Sequence, residues 1–140
     1  MDKTFSLTIR NHFDELSRLT PRVDEFLEKS DVSSRAVFTI NFVLEELLTN
    51  IIKYGYDDKK EHMIGVRLDM TAEGVLVTLT DDGHAFNPLD QAPPDFSQPI
   101  YERKRGGLGI FLLKDMVDHL EYNRRDNLNV IEVRIAEKSG

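Results

Sequence analysis

Two stretches of this sequence carry chemistry that their residue types suggest directly. Arg105-Gly106-Gly107-Leu108-Gly109 runs into a helical pattern, and unencumbered N–H groups at a helix start bind phosphate well. This is not a P-loop, because no Gly-Lys-Ser/Thr follows. Nor is it the dinucleotide fingerprint, because Leu112 stands where the third glycine would fall. A flexible hinge is the competing reading. In Thr80-Asp81-Asp82-Gly83, Asp81 is in phase with Val75, Val77 and Leu79 of the preceding alternating run, so its carboxylate points toward the core side of a strand. A carboxylate there is costly without a donor, and the exocyclic amine of a bound base would be one. Asp82, out of phase, faces solvent, and Gly83 permits a close approach that a side chain would block. A third stretch, Glu46-Leu-Leu-Thr-Asn50-Ile-Ile-Lys53, places Glu46, Asn50 and Lys53 within roughly 60° of one another on a helix, while Glu45 is turned about 100° away from Glu46. Alone, that spacing is also what a solvated helix face gives.

The elements that must position these residues can be read from periodicity. Residues 3 to 10 alternate Phe5, Leu7 and Ile9 against polar neighbours, which predicts a strand. From Asn11 the spacing turns helical, with Pro21 marking a kink or a fresh start. Ser33 or Ser34 caps a long central helix to about Tyr54, with Ile40, Val43, Leu44, Leu47 and Ile51 on its apolar face. His62 to Met70 and Val75 to Asp81 read as antiparallel strands turning at Glu73-Gly74. Residues 84 to 105 hold four of the five prolines and no sustained period; a loop this long inside one domain suggests a job, and it reads as a mobile lid. After it come a helix with Ile110, Leu113, Val117 and Leu120 on one stripe, and a hairpin turning near Asp126 to Asn129. The order βααββαββ predicts an α+β fold: a two-layer α/β sandwich whose mostly antiparallel, mixed sheet is covered on one face by helices.

Bulk properties narrow the function classes. The 140 residues fit one domain, residues 1–140, and a composition of 40% hydrophobic and 31% charged residues is that of an ordinary globular chain. There is no cysteine, which removes disulfides and thiolate metal sites and suits a reducing cytoplasm. No run of about 18 apolar residues occurs, so neither export nor membrane insertion is expected. A formal charge of -7 disfavours non-specific nucleic-acid binding.

In their order along the chain, the acid and amide on a helix, Asp-x-Gly after a strand, a long loop, and Gly-x-Gly before a helix resemble the N, G1 and G2 boxes of the GHKL ATPase superfamily. LEELLTNIIKYGY, TDDGHAFNPL and GGLGIFLLKDMVD are most similar to its anti-sigma factor serine kinase branch, over roughly residues 33 to 136. The resemblance implies a histidine kinase-like ATPase fold with ATP and Mg²⁺ as cofactors. By position it makes Glu46 the general base, Asn50 the Mg²⁺ ligand and Asp81 the acceptor for the adenine amino group. Gly83 would line the base pocket. Gly107, Leu108 and Gly109 would offer N–H groups to the phosphates, with Lys53 and Arg105 adding positive charge. Ala85 stands where the wider superfamily has a second glycine, and Asn87 where this branch often has aspartate. The implied activity is that of a protein serine/threonine kinase acting on a small antagonist (anti-anti-sigma) protein and sequestering a sigma factor; a homodimer is compatible with it. The alternative is a nucleotide-gated binding module without phosphoryl transfer. A histidine-kinase fragment is disfavoured, because His12, His62, His84 and His119 lie in no phospho-acceptor helix pair and read as surface residues.

Overall fold

A computed structural model of the chain describes residues 3–90 and 107–136. The elements are β1 (Thr4–Arg10), α1 (Glu15–Lys29), α2 (Ser34–Tyr54), β2 (Met63–Thr71), β3 (Gly74–Asp81), α3 (Gly107–Met116), β4 (His119–Arg125) and β5 (Leu128–Ala136). This is the expected βααββαββ order. The strands form one sheet in the order β1-β2-β3-β5-β4. All four pairings are antiparallel, so the described sheet contains no parallel pair where a mixed one was expected.

Alternation decides which face is covered. Ile64, Val66 and Leu68 of β2, Val75, Val77 and Leu79 of β3, and Ile131, Val133 and Ile135 of β5 share a core with Leu19, Val23 and Leu27 of α1. The same core takes in Ile40, Val43, Leu44, Leu47 and Ile51 of α2 and Ile110 and Leu113 of α3. The out-of-phase residues Arg67 and Arg134 are exposed, and Thr78 and Glu132 are half-buried. Helices therefore cover a single face. Leu47 is fully buried; truncating such a leucine to alanine costs about 2–5 kcal/mol.

Local chemistry explains the boundaries. Ser33 caps α2, its hydroxyl accepting from the Ala36 N–H at 3.1 Å. α1 runs unbroken through Pro21; Pro21 and Ser17, whose carbonyl the proline cannot bond, are both exposed, so water can donate to that carbonyl in place of the missing N–H. The β2–β3 turn is Ala72-Glu73, one residue earlier than the spacing suggested, with Gly74 at φ 143°. Asp126 and Asn127, at φ 51° and 64°, make the two-residue β4–β5 turn. α3 ends at Met116, so Val117 and Leu120 are not on its stripe; Leu120 belongs to β4.

Candidate functional site

The C-terminal half of α2 forms the floor of the site. Glu45 is exposed and Glu46 half-buried, while Asn50, one turn on, is 2% exposed. The two glutamates thus differ as their helical phases require. Asn50 Nδ2 donates to the Glu46 carbonyl at 2.6 Å. Lys53 lies on the same stripe and is exposed. Burial, and then the neighbouring Glu45 carboxylate, raise the Glu46 pKa above the ordinary carboxyl value, while Lys53 opposes them. The first turn of α3 lies directly against this carboxyl group: a Cβ on Gly109 would sit 2.0 Å from Glu46 Oε2 and 2.3 Å from its Cδ.

The other end of the site forms where β3 meets the C-terminus of α2. Asp81 continues the core phase of β3 and is 4% exposed, whereas Asp82 is exposed. Asp81 Oδ1 accepts from the Gly83 N–H at 2.9 Å and from Asn129 Nδ2 at 3.0 Å. Burial still raises its pKa, against the lowering effect of those two bonds. Gly83 packs against Gly55, the C-cap of α2; a Cβ on Gly83 would lie 2.1 Å from the Gly55 carbonyl oxygen. The next residue, His84, donates its N–H to that same oxygen at 3.0 Å. From β4, Arg124 Nη1 donates to the Gly83 carbonyl at 2.8 Å. The Tyr56 hydroxyl is buried without a hydrogen-bond partner among the described residues, and burial, with Asp81 and Asp82 nearby, raises its pKa. From Glu46 to Gly55, α2 rises about 13 Å, so the carboxyl facing α3 and the carboxyl at the end of β3 mark two ends of an elongated site.

The fold thus sets Gly109 against Glu46, with Asn50 buried one turn further along α2, and sets Gly83, next but one to Asp81, against the C-cap of α2. Gly107 and Leu108 open α3; Arg105 lies outside the described residues. The segment expected as a lid starts with fixed residues: Leu89 is buried in the core, and its N–H is held by Asn87 Oδ1 at 2.9 Å. The Phe86 N–H donates to Asn129 Oδ1. Residues 91 to 105 of that segment lie outside the described residues. Three contributors escaped the sequence. Asn129 meets Asp81 only through the β3–β5 register, Arg124 carries no motif, and Tyr56 ends the stretch LEELLTNIIKYGY without a role read for it. His62 is also no plain surface residue. Its ring stacks on Tyr56 at 4.6 Å and bridges Asp58 at 2.7 Å and Asp82 at 3.1 Å. Hydrogen bonding to Asp58 is the leading cause that raises its pKa.

Among the described residues no group of three or more His, Cys, Asp or Glu could hold a metal, and no helix is long and apolar enough to cross a membrane.

Several proteins of known description are similar to this chain in sequence. The chain is 28% identical over 97 residues, 69% of its length and 68% of the relative's, to a serine/threonine-protein kinase BtrW of Bordetella bronchiseptica. It is 28% identical over 130 residues, 81% of its length and 78% of the relative's, to a serine-protein kinase RsbW of Halalkalibacterium halodurans. With an anti-sigma F factor of Bacillus thuringiensis it shares 26% over 125 residues, 86% and 80% of the two lengths. A solved histidine kinase domain, from the blue-light activated histidine kinase of Erythrobacter litoralis EL346, shares the fold at a TM-score of 0.57 and 16% identity, over 89% of this chain and 60% of that one. The model of one family, described as the histidine kinase-like ATPase domain, matches residues 9–135. With the match running from the end of β1 to the end of β5, this chain belongs to the histidine kinase-like ATPase domain family.

Proposed function

We propose that this chain is a Mg-ATP-dependent protein serine kinase that phosphorylates a small antagonist protein and, without it, sequesters a sigma factor. The observation that carries the reading is the α2 floor, with Glu46 against the first turn of α3 and, about 13 Å along the helix, Asp81 and Gly83 beside its C-cap. Asp81 accepts the adenine amino group, and Gly83 lines the base pocket. Backbone N–H groups of Gly107, Leu108 and Gly109 receive phosphate oxygens at the positive end of α3. Lys53 and Arg105 add positive charge.

Glu46 acts as general base. It takes the proton of the seryl hydroxyl as that oxygen bonds to the γ-phosphorus and the bond from phosphorus to the β–γ bridging oxygen breaks, releasing ADP. Burial raises its pKa, the direction that makes a carboxylate a stronger base. A binding module without transfer would need no carboxyl at this place. Mg²⁺ when bound neutralises phosphate charge, and the buried amide of Asn50, with its nitrogen held by the Glu46 carbonyl, offers the oxygen ligand such a cation prefers. The antagonist and the sigma factor are inferred from relatives named serine-protein kinase and anti-sigma F factor. A cytoplasmic setting completes the proposal, with which a homodimer is compatible.

Incubation with Mg²⁺, ATP labelled at the γ-phosphate and the candidate antagonist proteins of the same genome tests it. Phosphoserine on one of them is the expected result. ATP binding by calorimetry with no transfer to any candidate would favour the nucleotide-gated module, and no ATP binding would overturn both readings.

A further inference from the structure

Four hydrogen bonds meet at the side chain of Asn129. Its Nδ2 donates to Asp81 Oδ1 at 3.0 Å and to the His84 carbonyl at 2.8 Å. Its Oδ1 accepts from the Phe86 N–H at 3.3 Å and from the Tyr122 hydroxyl. A carboxamide has two N–H donors and one oxygen with two lone pairs, so its whole capacity is used. The partners also fix which end is which, since a carbonyl only accepts and a backbone N–H only donates. Asn129 is 1% exposed and stands opposite Asp81 in the β3–β5 ladder. Tyr122 reaches it from β4, where it pairs with Ile131 two residues further along β5.

We infer that Asn129, anchored by Tyr122, is a positioning residue that keeps Asp81 a hydrogen-bond acceptor and thereby sets a preference for 6-amino over 6-oxo purines. The inference rests on the adenine contact proposed for Asp81. With Gly83 and Asn129 both donating to Oδ1, the second carboxylate oxygen is the one turned to a ligand. A carboxylate there accepts from a 6-amino group and repels a 6-oxo group. A protonated carboxyl donates instead, and the preference inverts. Burial pushes Asp81 toward the protonated form, and the Asn129 bond leads the influences that oppose it. Of the other charged groups nearby, Asp82 opposes ionisation and Arg124 of β4 favours it. Tyr56, at the end of α2, is held neutral. His62, 3.1 Å from Asp82, titrates alike in wild type and variant, so its effect cancels in a comparison.

The test measures ATP and GTP affinities from pH 5 to 8 for wild type, Asn129→Leu, Tyr122→Phe and Asp81→Asn, with the Asp81 carboxyl followed by carbon NMR in the nucleotide-free proteins. A hydrogen bond to a charged group corresponds to about one to two pKa units. Asn129→Leu should therefore move the Asp81 titration, and the acid limb of ATP binding, upward by about one unit or more, and cut the ATP-to-GTP affinity ratio about tenfold or more near that limb. Tyr122→Phe should shift both the same way by less; if Asn129→Leu does not fold, Tyr122→Phe decides. Weaker ATP binding at every pH with an unmoved titration and an unchanged ratio would overturn the inference, leaving Asn129 a structural tie only. Unchanged ATP affinity in Asp81→Asn would instead remove the adenine contact itself, even if the NMR titration moved.

Discussion

Gly109→Ala separates the geometry of the proposed base from the stability of the fold. A Cβ at this position would lie 2.0 Å from Oε2, 2.3 Å from Cδ and 2.7 Å from Oε1 of Glu46. Ordinary contact starts near 3.4 Å, so Oε2 must retreat by about 1.4 Å. All three atoms belong to the far end of a half-exposed, flexible side chain, which gives way before either backbone. An off-rotamer glutamate costs about 0.5–1.5 kcal/mol, and replacing a helical glycine by alanine returns about 0.5–1 kcal/mol. The two nearly cancel, and the melting temperature should stay within a few degrees of wild type. Catalysis has no such offset. A misplacement on the order of 1 Å costs about 10²-fold in rate, so single-turnover transfer from Mg-ATP to the antagonist should fall by about that factor, with ATP affinity within a few-fold. Transfer within threefold of wild type would refute the reasoning. So would a large loss of stability, which would mean that α3 had moved instead of Glu46.

Two further outcomes follow from contacts elsewhere. Gly83→Ala meets backbone, the Gly55 carbonyl oxygen at 2.1 Å, so unlike Gly109→Ala it should cost stability, about 1–3 kcal/mol as overpacking does. Chemical denaturation checks this, and an unchanged midpoint would count against the Gly83–Gly55 packing. Glu15 accepts from the Arg10 N–H, Arg10 Nε and Arg18 Nε at 2.8–2.9 Å; Arg18 first, then the Arg10 N–H, hold its carboxyl at about 2 against an ordinary 4.5. A lowered folded pKa contributes stability that is complete above the unfolded value and disappears as pH falls through the folded one. The gap in melting temperature between wild type and Glu15→Gln should be constant above pH 4.5 and close between about 4.5 and 2; a gap that persists at pH 2 would contradict the assignment.

What could be read from the sequence was what short-range periodicity encodes. The inward phase of Asp81 follows from Val75, Val77 and Leu79 alone, and the contrast between exposed Glu45 and half-buried Glu46 follows from a 100° step along one helix. The element order was readable for the same reason. Boundaries set by side-chain competition were not. Leu120 fits a helical stripe with Leu113 and Val117, but α3 ends at Met116 and Leu120 joins β4 as a neighbour of Val133. Asn129 was invisible because its partners, Asp81, His84, Phe86 and Tyr122, lie between 7 and 48 residues away and converge only once β3, β4 and β5 share a sheet. The approach of Gly83 to Gly55 likewise joins two chain segments whose spacing carries no period.

The central claim, that the carboxyl on α2 facing α3 is the base of a phosphoryl transfer, is tested most directly by comparing Glu46→Gln with Glu45→Gln in single-turnover transfer from saturating Mg-ATP. Both variants remove one carboxylate from the same helix, but only Glu46 meets the first turn of α3. Glu46→Gln should lower the rate by about 10²–10⁴-fold with ATP affinity kept within a few-fold, and Glu45→Gln should stay near wild type. Equal effects from the two substitutions, or a Glu46→Gln rate close to wild type, would contradict the account.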